Sequence, residues 1–402
     1  MTTPVPQTIA RSQPSPAAKL GRLALVCDFL EEGWYSMDLF GDMLNRCLQS
    51  DFAGEVEVQQ LRPALRPRLS ALPLAGKSRV LWNADRLINR FQLYPRWLRN
   101  QAGKFDLYHV VDHSYSQLLL ELPGERAVVT CHDVDTFRSV LEPQTEPRPA
   151  WYRAMTRRTL AGFIRAAHVI CVSAATKADL LRHQLFGEDR LTVIPPGVDP
   201  AFFAAPDPVL DSRTSQRYPH PYVLHVGSTI PRKRIDVLLR VFARVCSEFT
   251  ELRLVRAGGD LTAEQSELAA SLGIADRVVQ APPLSKPELA ALYRGAAIVL
   301  QTSSAEGFGL PVIEAMACGC PVIASDIPPL REAGGLAAEY CPVGNVEAIA
   351  AALACRLTDR ARDLPGWEER RAQVRRHASD FTWSRNAKQT MDVYRQVALT
   401  CI

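Results

Sequence analysis

The chain has 402 residues, 47% hydrophobic and 22% charged, and a formal net charge of +4. That length favours two domains of under about 200 residues each, and the composition excludes a disordered or fibrous chain. The charge is too small to make nucleic acid the default partner, and no run approaches the roughly 18 apolar residues of a membrane-spanning helix.

Residues 1–20 carry four prolines and no apolar stretch, the pattern of a disordered tail and not of a secretory signal. From Gly21 short apolar runs alternate with longer amphipathic ones, the rhythm of parallel strands buried on both faces and joined by helices. Arg22–Cys27, Glu55–Leu61, Asp106–Val111, Ala127–Cys131, His168–Val172 and Leu191–Ile194 fit strands of a first domain, 21–199. Cys27, Cys131 and Cys171 close apolar runs, as free thiols do in a reducing, cytoplasmic setting. No CxxC pair occurs and Cys318-Gly-Cys320 lacks further ligands, so no metal site is expected.

From Val193 to Pro221 prolines and aspartates accumulate, which stops helices and predicts a linker over 200–220. Tyr222–Val226, Leu252–Ala257, Val278–Gln280, Ala297–Gln301 and Pro321–Ala324 then fit strands of a second domain, 221–382. The stretch Trp367–Ala398 is helical in pattern and broken near Phe381–Trp383, so that 383–402 forms a last helix able to cross back to the first domain. The expected architecture is α/β, two facing Rossmann-like doubly wound domains with a ligand cleft at the carboxyl ends of their strands.

Two segments at such strand ends carry chemistry. After Tyr222–Val226 come Gly227, Ser228, Thr229, Ile230, Pro231, Arg232, Lys233 and Arg234, followed by an amphipathic helix. Cations at a helix start oppose the helix dipole, by about 0.3–1 kcal/mol for a surface charge, unless an anion such as phosphate binds there. After Ala297–Gln301 comes Glu306, Gly307, Phe308, Gly309, Leu310, Pro311, with Glu314 eight positions beyond Glu306. The glycines let backbone approach a ligand, Pro311 suits a first helical turn, and the free amides of that turn are neutral anion donors.

The Gly-Ser…Pro-Arg-Lys segment and the Glu-x7-Glu segment, in this order after two strands, resemble the donor site of the retaining GT-B glycosyltransferases of glycosyltransferase family 4. That resemblance implies a hexosyltransferase using a nucleotide-sugar donor, GDP-mannose or a UDP-sugar, on a glycan or lipid-linked acceptor in cell-envelope or exopolysaccharide synthesis. It implies that Glu306 contacts the donor sugar, Glu314 the ribose, and Arg232 and Lys233 the diphosphate leaving group. It also implies that amides near Gly307, Phe308, Gly309 and Leu310 hold sugar and phosphate beside Gly227 and Ser228, that His132 hydrogen-bonds the transferred sugar, and that no metal or other cofactor takes part. Ser228 departs from the family pattern, which commonly has Arg there, and puts more weight on Arg232 and Lys233.

The acceptor side is less marked. His132-Asp133-Val134-Asp135 follows a strand and includes a DxD, which lacks the further oxygen ligands of a hard metal. Gly33, Trp34 and Tyr35 in the turn after the first strand either meet an acceptor sugar or lead into a helix capped by Ser36. Residues 62–104 hold ten cations, including Lys77, against Asp85 alone, with Trp82, Phe91, Tyr94 and Trp97 interleaved. Such a stretch suits an anionic membrane surface or a solvated face, and it carries no nucleic-acid motif. Two rivals keep the same fold: a catalytically silent nucleotide-sugar-binding scaffold, and an epimerase or phosphorylase.

Overall fold

Apolar runs flanked by turn residues form strands when both faces are covered by helices, and that is how this chain folds. The computed structural model describes residues 19–72 and 78–400. The first sheet comprises β1 (Gly21–Val26), β2 (Val56–Leu61), β3 (Leu107–Val110), β4 (Ala127–Cys131), β5 (His168–Cys171) and β6 (Leu191–Val193), in the order β2-β1-β3-β4-β5-β6. The second comprises β7 (Tyr222–Val226), β8 (Arg253–Ala257), β9 (Val278–Gln280), β10 (Ile298–Gln301), β11 (Val322–Ser325) and β12 (Glu339–Cys341), in the order β12-β11-β10-β7-β8-β9. All pairings are parallel. In both sheets the strand order reverses, between β1 and β3 and between β7 and β10, which leaves a crevice at their carboxyl ends, and the two crevices face each other. Only β12 was not foreseen, because Glu-Tyr-Cys at a sheet edge has no apolar run to announce it.

The stretch 200–220 corrects the expectation of a helix-free linker. Pro200 and Pro208 open the helices Pro200–Phe203 and Pro208–Arg217, where a missing N–H costs nothing. Asp199 accepts from Ala201 N at 2.9 Å and Asp207 from Val209 N at 2.9 Å, capping each. The Asp211 carboxylate takes Arg294 at 2.6 Å, and Phe202 lies in the core of the second domain, so the segment packs against that domain.

The chain crosses between domains twice. Helices Leu364–Ala378 and Trp383–Thr400 are separated at the break the sequence predicted, and the last helix returns to the first domain. Its Trp383, Met391, Tyr394 and Val397 share a core with Leu23, Leu25, Phe40 and Leu44, and Tyr394 Oη lies 2.6 Å from His109 Nδ1. The two crossings touch, since Val198 N donates to Phe381 O at 2.9 Å and a Cβ on Gly197 would come within 2.4 Å of Trp383 N.

The basic stretch is more structural than its composition implied. Tyr94 is buried and donates to the carbonyls of Cys27 and Leu61, while Trp82 and Trp97 pack on the first core. Arg62 pairs with Asp42 at 3.1 Å, Arg86 with Glu32 at 3.2 Å and Arg99 with Glu121 at 2.7 Å. Arg66, Arg68, Arg79, Val80 and Leu87 stay exposed; Lys77 lies outside the described residues.

Asp85 organises this region. Fully buried, it accepts hydrogen bonds from the amides of Arg68, Leu69 and Ser70 and from Ser70 Oγ, at 2.6–3.1 Å. Burial alone would raise its pKa, but these bonds outweigh it and hold the carboxyl at about 2. A depressed pKa stabilises the fold above the ordinary carboxylate range and loses that contribution as the pH falls towards 2. Asp85→Asn should therefore lower stability at neutral pH by about 2–4 kcal/mol and flatten the acid limb of the stability profile, as urea midpoints at pH 7 and pH 3 would register.

Candidate active site

Strand order decides what meets at the cleft. β7 and β10 are neighbours, so the loops at their carboxyl ends lie side by side. The β7 loop passes Gly227 and Ser228, makes a tight turn over Pro231–Lys233 and enters the helix Ile235–Val245 through Arg234, a non-glycine residue in the left-handed region (φ 49). Of the three cations here, Arg234 is taken by Asp236 at 3.0 Å, in the first turn of its own helix. Lys233 and Arg232 turn the other way, to the β10 loop.

That loop presents Glu306, whose Oε1 accepts from Lys233 Nζ at 2.6 Å, Gln301 Nε2 at 2.7 Å and Ser303 Oγ at 2.7 Å. Its Oε2 lies 3.5 Å from Arg232 Nη1, which also donates to Ala305 O at 3.3 Å. Burial would raise the Glu306 pKa, but Lys233, Ser303 and Arg232 outweigh it and hold it below the usual carboxylate value. The carboxylate is therefore charged, and the two cations are fixed in place before any ligand arrives. Gly309, in the left-handed region (φ 119), then turns the chain into the helix Leu310–Ala317, whose first turn contains Pro311. Phe308 is buried, its ring packed on that of Phe381.

Four residues into that helix, Glu314 accepts from Tyr293 Oη at 3.0 Å. Burial dominates its titration and, with Asp199 acting in the same direction, raises the pKa to about 7 despite Tyr293 and Lys286. Beside it Lys286 and Asp199 form a 2.6 Å ion pair.

From the first domain, His132 follows β4 with its Nε2 at 2.9 Å from Val111 O. A carbonyl only accepts, so Nε2 carries the hydrogen and Nδ1 keeps the lone pair. Burial lowers the His132 pKa, leaving a neutral imidazole packed edge-on to Phe40. Asp133 lies 3.6 Å from His113 Nε2 and 3.9 Å from Arg232 Nη2; Asp135 lies 3.8 Å from Arg232 Nε and 2.7 Å from Arg138. The DxD carboxylates thus meet guanidinium groups. Arg232 reaches across the cleft to them, and a Cβ on Gly307 would come within 2.1 Å of His132 O.

These groups enclose a cavity of about 440 Å³ lined by His132, Asp133, Gly227, Arg232, Glu306, Gly307, Phe308, Leu310 and Glu314 from the motifs and by Tyr35 from the acceptor-side turn. Ser228 stands exposed beside it. Trp34 is not among the lining residues; its indole N–H donates to Glu32 at 3.0 Å. Gly33 adopts φ 71 to close the short turn before it. Ser36 does not cap the next helix, which spans Tyr35–Asp51 with Trp34 at its N-cap, so the hydroxyl already lies inside the first turn. Sequence reasoning missed Gln301, Ser303, Tyr293, Lys286, Asp199 and His113. Gln301 and Ser303 sat inside the segment already singled out and were legible as donors to its carboxylate; the others come from distant positions with no local signal.

Comparison with known proteins gives a consistent picture. Residues 212–379 match the family model described as glycosyl transferases group 1, and residues 53–202 match that of glycosyltransferase family 4. A D-inositol 3-phosphate glycosyltransferase from Rhodococcus erythropolis is 35% identical over 75% of this chain and 70% of its own length. Two further relatives of the same name are matched over 54% and 57% of theirs. Among solved structures, sucrose-phosphate synthase from Thermosynechococcus elongatus has a TM-score of 0.70 at 21% identity, covering 94% of this chain and 100% of that one. Anabaena HepE, in complex with UDP and glucose, has a TM-score of 0.68 at 16% identity, covering 92% and 98%.

The Glu314 titration has a measurable consequence. A carboxyl whose folded pKa is raised makes stability fall as pH rises from the ordinary value of 4.5 through about 7. Glu314→Gln should accordingly be more stable than the wild type at pH 8, by about 2–3 kcal/mol, with the difference vanishing towards pH 4. Thermal melts across that range would show it, and a constant offset at all pH values would contradict the assignment.

Proposed function

Since the chain belongs to glycosyltransferase family 4, with the GT-B fold of that family, we propose that this transferase moves a hexose-type sugar from GDP-mannose or a UDP-sugar to a saccharide or lipid-linked acceptor, with retention. The observation that carries this reading is the cluster of Arg232, Lys233 and Glu306 beside the first turn of the helix Leu310–Ala317. On cleavage of the donor's glycosidic bond, negative charge develops on the departing nucleoside diphosphate. Lys233, Arg232 and the backbone amides of Gly309 and Leu310 stabilise it, a role worth about 2.7–4 kcal/mol for each preorganised donor. Glu306 holds the sugar's hydroxyls near that charge, and Glu314, with Tyr293, accepts from the ribose. Neutral His132 contacts the transferred sugar through its free Nδ1.

The two cations do the work that a divalent ion does in other transferases, so the reaction proceeds without a metal or other cofactor. UDP is the donor nucleotide favoured by the likeness to HepE, whose structure holds UDP and glucose. For the acceptor, the cations nearest the turn after β1 are already engaged: Arg62 with Asp42, and Arg86 with the fully buried Glu32. An acceptor approaching Tyr35 and Asp133 on that side therefore meets carboxylates and aromatic surface, which suits neutral sugar hydroxyls better than a phosphate of the kind named in the relatives. The protein acts in the cytoplasm in cell-envelope or exopolysaccharide synthesis, against the inner membrane face through Arg66, Arg68, Arg79 and the exposed Val80 and Leu87.

Thermal stabilisation by UDP-, GDP- and ADP-sugars tests the donor site directly, because a ligand at 100 times its dissociation constant adds about 2.7 kcal/mol. One donor should shift the melt equally with and without EDTA, and Lys233→Ala should abolish the shift; no response to any donor would overturn the proposal. For the membrane face, binding to vesicles containing phosphatidylglycerol should fall with added salt and with Arg68→Glu/Arg79→Glu, at about 1 kcal/mol for each cation lost. Unchanged sedimentation with and without the vesicles would reject it.

A further inference from the structure

The second domain holds a charge that the chemistry above does not use. Arg256, near the end of β8, is fully buried and is the bulkiest such side chain among the described residues. Its Nη1 donates to Gly259 O at 3.2 Å and its Nη2 to Gly227 O at 3.4 Å, while Nε is buried without a partner. The acid that acts on it, Asp260, is exposed and forms no ion pair with it. Next to it in register on β7 is His225, also fully buried, with neither ring nitrogen bonded. Burial, Arg256 and Lys233 together hold this imidazole neutral, so it does not compensate the guanidinium.

A buried guanidinium without an anion destabilises a fold, and an apolar residue of similar volume would ordinarily serve better. The location supplies a reason. The Gly227 carbonyl that Arg256 holds belongs to the loop leading to Arg232 and Lys233, and a Cβ on Gly258 would come within 2.9 Å of the same oxygen. Arg256 thus joins the loops after β7 and β8 and draws a partial negative charge of the phosphate-side loop down towards itself. In that low-dielectric setting its own charge acts over a longer range than it would in water.

We propose that Arg256 is a positioning residue for the donor's diphosphate: it fixes the Gly227 loop through the Gly227 carbonyl and adds, from beneath, a third positive charge whose counter-ion is the bound diphosphate. This rests on the donor reading given above and extends it to a residue outside both motifs. It accounts for the missing partner, since the anion arrives with the substrate, and for the tolerance of Ser228 in the loop, since positive charge is supplied from below.

The test compares charged and uncharged ligands on the full-length protein. Affinities for UDP, GDP and ADP, and for the corresponding nucleosides, are measured by calorimetry or competition for wild type, Arg256→Met and Arg256→Lys. Arg256→Met should weaken the preferred diphosphate roughly tenfold or more while leaving its nucleoside within about threefold, and Arg256→Lys should recover most of the loss. A purely structural clamp would weaken both ligands together and gain nothing from lysine; that result, or an unchanged diphosphate affinity, overturns the proposal. If Arg256→Met does not fold, Arg256→Lys decides alone, by keeping the ratio of diphosphate to nucleoside affinity or losing it. Failure of the wild type to bind any of the three diphosphates would overturn the donor reading along with this one.

Discussion

Glu306 is the group on which the site depends. Its side chain is only 7% exposed, and a carboxylate so buried is tolerated only when hydrogen bonds and opposite charge replace its water. Lys233, Gln301, Ser303 and Arg232 provide that replacement, and they are within reach because β7 and β10 are adjacent in the sheet. The same contacts hold two cations at the mouth of the helix Leu310–Ala317. The β10 loop and the two cations are therefore held by the same carboxylate.

Arg232 extends the arrangement across the cleft. It faces Glu306 and Ala305 O of its own domain and Asp133 and Asp135 of the other, while the Gly307 backbone lies against the His132 carbonyl. Contact between the domains at this point is electrostatic and steric together. One guanidinium is thus shared by carboxylates of both domains.

The strand ends of both domains also hold polar groups that the fold leaves uncompensated. Asp28, buried at the end of β1, has neither carboxylate oxygen bonded, and burial, aided by Asp112 and Asp38, pushes its pKa to about 7. His225 and Arg256 are the counterparts in the second domain. Elsewhere a buried acid such as Asp85 is fully satisfied.

Much of this was legible in the chain. Parallel strands buried on both faces write themselves as continuous Val, Ile, Leu and Ala runs, and the cations after β7 and the glycines after β10 are local signals. Other features follow from three-dimensional packing alone. The prolines of 200–220 read as helix stops because sequence does not say whether a proline falls inside a helix or at its first turn. Trp82, Tyr94 and Trp97 read as surface aromatics because a helical stripe has no label for which side faces the core. Tyr293 on Glu314, Lys286 on Asp199 and Arg232 on Asp133 and Asp135 depend on strand order and on how one domain meets the other. The sequence by itself determined the two sheets and the glycine- and cation-bearing loops after β7 and β10, because those rest on local periodicity and backbone conformation. Which charges face each other was decided only by the tertiary structure, because electrostatic partnership depends on distance in space and not on separation along the chain.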